Sequence, residues 1–184
     1  QLKICEKSLN EEKTNKDKKI SNEITNIQDE LKKLKINPNY NENFSLGENL
    51  KILNKQLDQI RIKNIIKDKN KNKITDDKIG NLIFRQQTLI DLPPKELRSI
   101  IDKGKKEIES GIVMACCIYE KKIGVAIGVT DKLINKFDAV KLVIEVAEIL
   151  GGKGGGGRKD FAQAGGVKKD KIIQAFKFLK KKIS

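Results

Sequence analysis

Residues 112–129 read IVMACCIYEKKIGVAIGV. Ile112 to Tyr119 form a continuous apolar run, and after Lys121-Lys122 the residues Ile123, Val125, Ile127 and Val129 follow in strict alternation. That pattern is a β-hairpin. Upstream, Leu82 to Ile90 is strand-like, and Asp91-Leu92-Pro93-Pro94 starts a helix with Leu97, Ile101 and Ile108 on one face. Downstream, Asp138 is placed to cap a helix that runs through Leu150, with Val140, Val143, Ala147 and Leu150 facing inward and Gly151 as its stop. Asp170 is placed to cap a last helix whose Ile172, Phe176, Leu179 and Ile183 form a buried stripe. The order is strand, helix, strand, strand, helix, glycine loop, helix. It predicts an α+β fold, a small mixed β-sheet with helices on one face and a Gly-rich loop.

The N-terminal part has a different rhythm. Ile20, Ile24, Ile27, Leu31 and Leu34 step by four and three, the seam of a helix packed on one partner. Asp17, Lys13 and Asn10 break that register upstream, so the early helix is expected to be frayed or solvated. Asn37 to Asn41 is a turn by composition, Ser45-Leu46-Gly47-Glu48 has the form of a capping box, and Leu46, Leu50, Leu53, Leu57 and Ile60 repeat the same rhythm. Two such seams make a helical hairpin, or a coiled-coil-like arm if they bury each other across a dimer. Residues 67–78, nearly all Lys, Asp and Asn, read as an exposed linker or a solvated helix end. The expected domains are therefore 1–78, a helical arm, and 79–184, a globular unit.

Composition narrows the function. The 184 residues carry 39 Lys plus Arg against 25 Asp plus Glu, a net charge of +14 that points to an anionic partner. Only Arg61, Arg85, Arg98 and Arg158 are arginine, and with the many Asn and Ile the lysines also fit the amino-acid usage of an AT-rich genome. Position separates the two sources: residues 1–80 hold 18 basic and 13 acidic groups, residues 153–184 hold 10 and 2. The basic surface is concentrated at the C-terminal end. There is no His, and Cys5, Cys116 and Cys117 have no zinc spacing, which excludes a His-based relay and a structural zinc site and leaves idle thiols in a reducing compartment. No apolar run approaches the roughly 20 residues of a membrane span. With Gln1 in place of a starting Met and no leader pattern, the expectation is a cytoplasmic piece of a longer protein.

Residues 151–166 read GGKGGGGRKDFAQAGG, with eight glycines among 16 residues. As a string, Gly152-x-Gly154-x-x-Gly157 satisfies the dinucleotide fingerprint, but it leaves a helix where the fingerprint leaves a strand, and Lys177 stands where the ribose-binding acid belongs. Neither Lys153 nor Lys159 completes the phosphate loop of nucleotide hydrolases. A flexible linker would not run directly into Arg-Lys-Asp-Phe and a run of small residues. Glycines here let a backbone come close to something, either its own sheet or a ligand's phosphates, and both readings stay open on the residues alone.

The stretch GGKGGGGRKDFAQAGG resembles the signature near the C-terminus of alanyl-tRNA synthetases, within the accessory domain they share with phosphoesterases of the DHH family. In those phosphoesterases the loop carries a His after the glycines. Here that position holds Arg158, and the following Ala162-Gln163-Ala164-Gly165-Gly166 has the synthetase form. The resemblance covers residues 81–184, including Leu97 to Asp102 and the strand ending in Gly128-Val129, and reaches residues 1–80 only in kind. One extra glycine and the weak repeat before Ile20 are departures.

The resemblance implies a globular part that touches the outer corner of tRNA, where the D and T loops meet, and a helical part that supports dimerisation in some members. It places alanine activation, transfer and zinc-dependent editing, with their ATP, magnesium and zinc, in portions other than these residues. No cofactor, membrane or small-molecule substrate is expected here, and no catalytic activity. The expected partner is tRNA, by resemblance tRNA for alanine, with a homodimer open. Candidate contacts are Lys153, Arg158, Lys159, Lys168 and Lys169, with Gly154, Gly155, Gly156 and Gly157 letting the backbone approach. Asp160 and Gln163 are candidates to read a sugar or base edge, or else to make hydrogen bonds inside the fold. Few aromatics favour folded RNA over single strands. Two other functions compete: a helical oligomerisation module whose glycine loop only packs, and a phosphoesterase remnant, which the lack of His opposes.

Overall fold

The computed structural model describes the backbone of residues 2–184 and the side chains of residues 13–184. The chain divides into two compact units, residues 1–64 and 65–184. The side chain of Cys5, expected to be an idle thiol, lies outside the described residues.

The first unit is a helical hairpin of α1 (Leu2–Lys33) and α2 (Leu46–Lys67), whose last turn passes into the second unit. Ile24, Ile27 and Leu31 of α1 bury against Leu53 and Leu57 of α2, so the two seams close within one chain. Leu34 leaves the expected seam. The helix ends at Lys33, Lys35 turns at φ 59°, and Ile36 packs on the cluster while Leu34 stays exposed. The capping box forms as its chemistry requires: Ser45 N–H donates to Glu48 Oε2 (2.9 Å) and Glu48 N–H to Ser45 Oγ (3.3 Å). Hydrogen bonding from Ser45 holds the Glu48 carboxyl below its ordinary value. Buried Asn49 fixes the loop between the helices, its amide donating to the carbonyls of Asn41 (2.8 Å) and Phe44 (3.1 Å).

The second unit is a six-stranded mixed sheet in the order β1-β2-β3-β4-β6-β5. Its strands are β1 (Asn72–Ile79), β2 (Leu82–Ile90), β3 (Gly111–Tyr119), β4 (Lys122–Val129), β5 (Gly155–Arg158) and β6 (Phe161–Gly166). Only β2 and β3 run parallel, joined through helix α3 (Leu97–Glu107). Helices α4 (Ala139–Ile149) and α5 (Ile172–Ile183) complete the unit, and α+β is its class.

The sheet is covered on both faces, not on one as the element order suggested. Met114, Cys116, Val125 and Ile127 share a core with Val143 and Val146 of α4 and Phe176 and Leu179 of α5. On the opposite face α3 lies against the backbone of β4: a Cβ on Gly124 would meet Leu97 at 3.1 Å and one on Gly128 would meet Ile101 at 2.2 Å. The unbroken apolar run of β3 reflects this, since a strand buried on both faces needs no polar alternation.

Residues 67–78 are not a linker. They supply β1, paired with β2 from Asn72↔Leu89 to Ile79↔Leu82. Apolar patterning could not reveal it, because β1 is an edge strand mostly exposed along its length and held by polar contacts. Arg85 of β2 donates to both carboxylate oxygens of Asp76 (2.7 Å each) and also binds Glu107 of α3. Those hydrogen bonds outweigh partial burial and hold the Asp76 carboxyl below its usual range. At the other end of the unit, Asp138 caps α4 by accepting from Val140 N–H (2.9 Å), whereas Asp170 caps nothing: a single tight turn, Lys169–Lys171, precedes α5.

Candidate nucleic-acid interface

The expected glycine loop is a β-hairpin. After α4, Gly151 at φ 75° turns the chain and Gly152 N–H returns to Ala147 O (2.7 Å). Gly154 at φ 133° then leads into β5, which pairs antiparallel with β6 from Gly155↔Ala164 to Arg158↔Phe161. Composition hid these strands because glycine carries neither β-propensity nor an apolar pattern. What replaces side-chain packing is close backbone contact. A Cβ on Gly152 would sit 2.0 Å from Gly165 O, one on Gly155 2.7 Å from the Ala164 side chain, and one on Gly157 2.2 Å from Phe161 O.

Gly156 differs from its neighbours. A Cβ there meets nothing within 4 Å, and its backbone is outside the left-handed region. Strand alternation explains the difference: Gly155 faces Ala164 and Val143 of α4 and Gly157, on the same side, lies against Ala162, while Gly156, its partner Gln163 and Arg158 face the other way. Gln163 is exposed and its side chain makes no hydrogen bond among the described residues. One face of the strand is therefore closely packed and the other is open at Gly156.

The hairpin tip is tied down by its carbonyls. Val129 N–H donates to Asp160 O and Ala139 N–H to Lys159 O, each at 2.9 Å. The side chains are left to project. Arg158 Nε donates to Asp160 Oδ1 at 3.1 Å, and Lys105 Nζ approaches Asp160 Oδ2 at 3.4 Å. Burial alone would raise the Asp160 carboxyl, but Lys105 and Arg158 together hold it below its ordinary value. Asp160 thus serves the fold by orienting Arg158. Lys159 is exposed and has no carboxylate partner among the described residues.

The sequence candidates do not form one cluster. Arg158, Lys159 and Asp160 lie at the hairpin tip. Lys153, Lys168 and Lys169 belong to its base, where the Lys168 stem lies over Gly151 and Lys169 Nζ donates to Glu120 O (3.0 Å). All four lysines are exposed. Two cations missed by sequence reading border the tip: Lys105, and Arg98, whose guanidinium stacks 5.2 Å from the Phe161 ring centre. Their signal was the spacing 98, 102, 105, which is one stripe of α3 beside its apolar stripe.

No group of three or more His, Cys, Asp or Glu among the described residues is placed to hold a metal. Cys116 and Cys117 are buried in β3, and burial pushes the Cys117 thiol up to about 11. No described helix is long and apolar enough to cross a membrane.

The model of the DHHA1 domain family matches residues 84–184. The chain belongs to the DHHA1 domain family. Within it, the similarity runs to alanyl-tRNA synthetases. The chain is 46% identical over 102 residues to the alanine–tRNA ligase of Parvibaculum lavamentivorans, covering 55% of this chain and 11% of that protein. It is 52% identical over 81 residues to that of Hyphomonas neptunium, covering 44% and 9%. The C-Ala domain of the Aquifex aeolicus alanyl-tRNA synthetase superposes with a TM-score of 0.55 at 32% identity, over 58% of this chain and 96% of that domain. The chain spans about a tenth of the curated relatives it matches. The DHHA1 unit is thus a C-Ala domain of the synthetase type, an accessory domain that lacks the ligase's catalytic domain.

Proposed function

We propose that this chain is a tRNA-binding and assembly region of an alanyl-tRNA synthetase, contacting the elbow of folded tRNA while other parts of the enzyme carry out aminoacylation and editing. One observation carries the reading: β5, a four-residue edge strand, is built of three glycines and Arg158, and Lys159 follows it at the turn. An edge strand turns alternate N–H groups outward, and glycine lets a phosphate or ribose reach them without a side chain in the way. The cations at the tip supply the sequence-independent attraction to phosphates on which binding to folded RNA rests. By the resemblance to alanyl-tRNA synthetases, ATP, magnesium and zinc are assigned to other parts of the enzyme.

The test is filter binding of folded and heat-unfolded tRNA over a range of salt. Each lost phosphate contact lowers the slope of log K against log salt by about 0.7–0.9. The double change Arg158→Ala with Lys159→Ala should flatten the slope by roughly one to two units. Lys32→Glu with Lys33→Glu, in α1, should matter much less. If both sets act alike, or unfolded RNA binds as well as folded, the hairpin is a packing element and the chain an assembly module.

A further inference from the structure

A groove of about 420 Å³ opens beside the hairpin tip, lined by residues 134–138, by Lys141, Leu142 and Glu145 of α4, by Lys159, and by Lys182 near the end of α5. Its floor is apolar, with buried Leu142 and half-buried Ile134 and Phe137. Four lysines and two acids surround that floor. Both acids are committed. Asp138 accepts from Val140 N–H (2.9 Å) as the cap of α4, and Glu145 is bound by Lys182 Nζ (2.6 Å to Oε1). Lys136, Lys141 and Lys159 have no carboxylate partner among the described residues, and the Lys136 ammonium is parked over the Phe137 ring at 5.2 Å from its centre. The N-terminal end of α4, the positive end of its dipole, borders the same space.

We propose that this groove binds the phosphodiester backbone of RNA as a second anchoring point, next to the glycine strand; the proposal rests on the tRNA-binding reading above. Lys159 makes the connection. Its carbonyl is fixed by Ala139 N–H at the start of α4, and the residue itself lines the groove, so one polyanion lying on the hairpin tip continues into it. Lysines are point charges without the planar fork of arginine, and suit phosphates presented in varied orientations along a backbone. The groove is open and polar at its rim, unlike the closed apolar cavities that hold small molecules. The apolar floor gives riboses a surface, and the lysine stems extend it.

Lys136→Ala with Lys141→Ala removes two exposed cations and leaves the cap and the core untouched. Two lost contacts should flatten the salt slope for folded tRNA by about 1.4–1.8 and weaken binding at 0.15 M salt by about 20-fold. Lys73→Ala with Lys78→Ala, the same charge loss on β1 at the opposite edge of the sheet, should leave both quantities near wild type. Equal effects from the two pairs would reduce the groove to general charge and overturn the proposal. So would a wild-type slope in the groove variant while the Arg158 and Lys159 variant is flattened, and in that case the hairpin reading survives. Absence of folded-tRNA binding by the wild type would sink the hairpin reading and the groove together. Two further arms address other anions: inorganic phosphate should compete only at concentrations where salt does, and vesicles of anionic phospholipid should not bind in a Lys136- and Lys141-dependent way. Either result reversed would assign the groove to a free phosphate or to a lipid surface and overturn the RNA assignment.

Discussion

Replacing Gly156 with valine separates packing of the glycine hairpin from its proposed contact with RNA. The new Cβ meets nothing within 4 Å, and no left-handed backbone has to be adopted. Glycine within a strand costs roughly 0.5–1 kcal/mol against residues with a side chain, partly because it loses more freedom on folding. Valine adds β-propensity on a scale of about 1 kcal/mol. These contributions overlap, so Gly156→Val should stabilise by about 0.5–1 kcal/mol. At roughly 2–4 °C per kcal/mol for a chain of this size, Tm rises by about 1–4 °C. Gly157→Val, one residue along, must go the other way. Its φ is 153° and its Cβ would lie 2.2 Å from Phe161 O, so strain and a broken hairpin should cost about 2 kcal/mol or more. Binding should respond differently from stability. Valine at 156 stands between an RNA backbone and the strand, and losing one hydrogen bond to a charged phosphate is worth about 1.5–3 kcal/mol, a tenfold loss or more. Calorimetry and filter binding on both variants read the two quantities. A lower Tm for Gly156→Val would refute the assignment of open space, and a stable variant with wild-type tRNA affinity would refute approach over the glycine strand.

A chain beginning at Ile65 should melt cooperatively, whereas one beginning at Ile79 loses β1, leaves Arg85 without Asp76, and should be less stable by at least ~2 kcal/mol in thermal melts. Leu53→Asp places a charge at a fully buried position of the helical hairpin and should cost about 2–5 kcal/mol there, read as lost helicity in far-UV circular dichroism. Asp76 has a depressed carboxyl, so the stability it contributes is present above its unfolded value, about 3.9, and is lost as pH falls through its folded value. Asp76→Asn should therefore be less stable than wild type at pH 7, by a margin that shrinks as pH falls below about 3.9; a difference that stays constant across that range in urea titrations would contradict the linkage.

The elements that sequence revealed are those whose burial is written in side chains. The run Ile112 to Cys117, the alternation from Ile123 to Val129 and the helical stripe of Ile172, Phe176, Leu179 and Ile183 all bury as their spacing required, while Ile118 and Tyr119 at the end of the run reach the surface. Leu34 shows the limit of a seam read by count, since one residue past the helix end the register no longer holds. The misreadings share a cause. β1 is stabilised by Asp76, Asp77 and Asn72 reaching Arg85, Gln86 and Gln87, pairs nine to fifteen positions apart that no local pattern displays. β5 is stabilised by backbone fit, for which glycine is the requirement and not the exception. The resemblance of the glycine stretch identified the family; it did not reveal that Asp160 neutralises part of the tip or that Lys105 completes it.

The two edges of the sheet differ in what they offer a partner. Every sheet edge exposes unpaired backbone groups and invites another strand. β1 answers with charge: its eight residues carry Lys73, Asp76, Asp77 and Lys78, whose desolvation disfavours an added strand, and Asp76 binds Arg85 of its own sheet. β5 answers with brevity, four residues that offer too few hydrogen bonds to hold an added strand. Its glycines give no side chain for a protein to pack against, and its one charge, on Arg158, is positive. Such an edge is poor at strand addition and open to phosphates, which need only N–H groups and cations. The same four residues are too tightly fitted at Gly155 and Gly157 to accept side chains, so selection for packing on the inner face keeps the strand thin and leaves Gly156 open on the outer one.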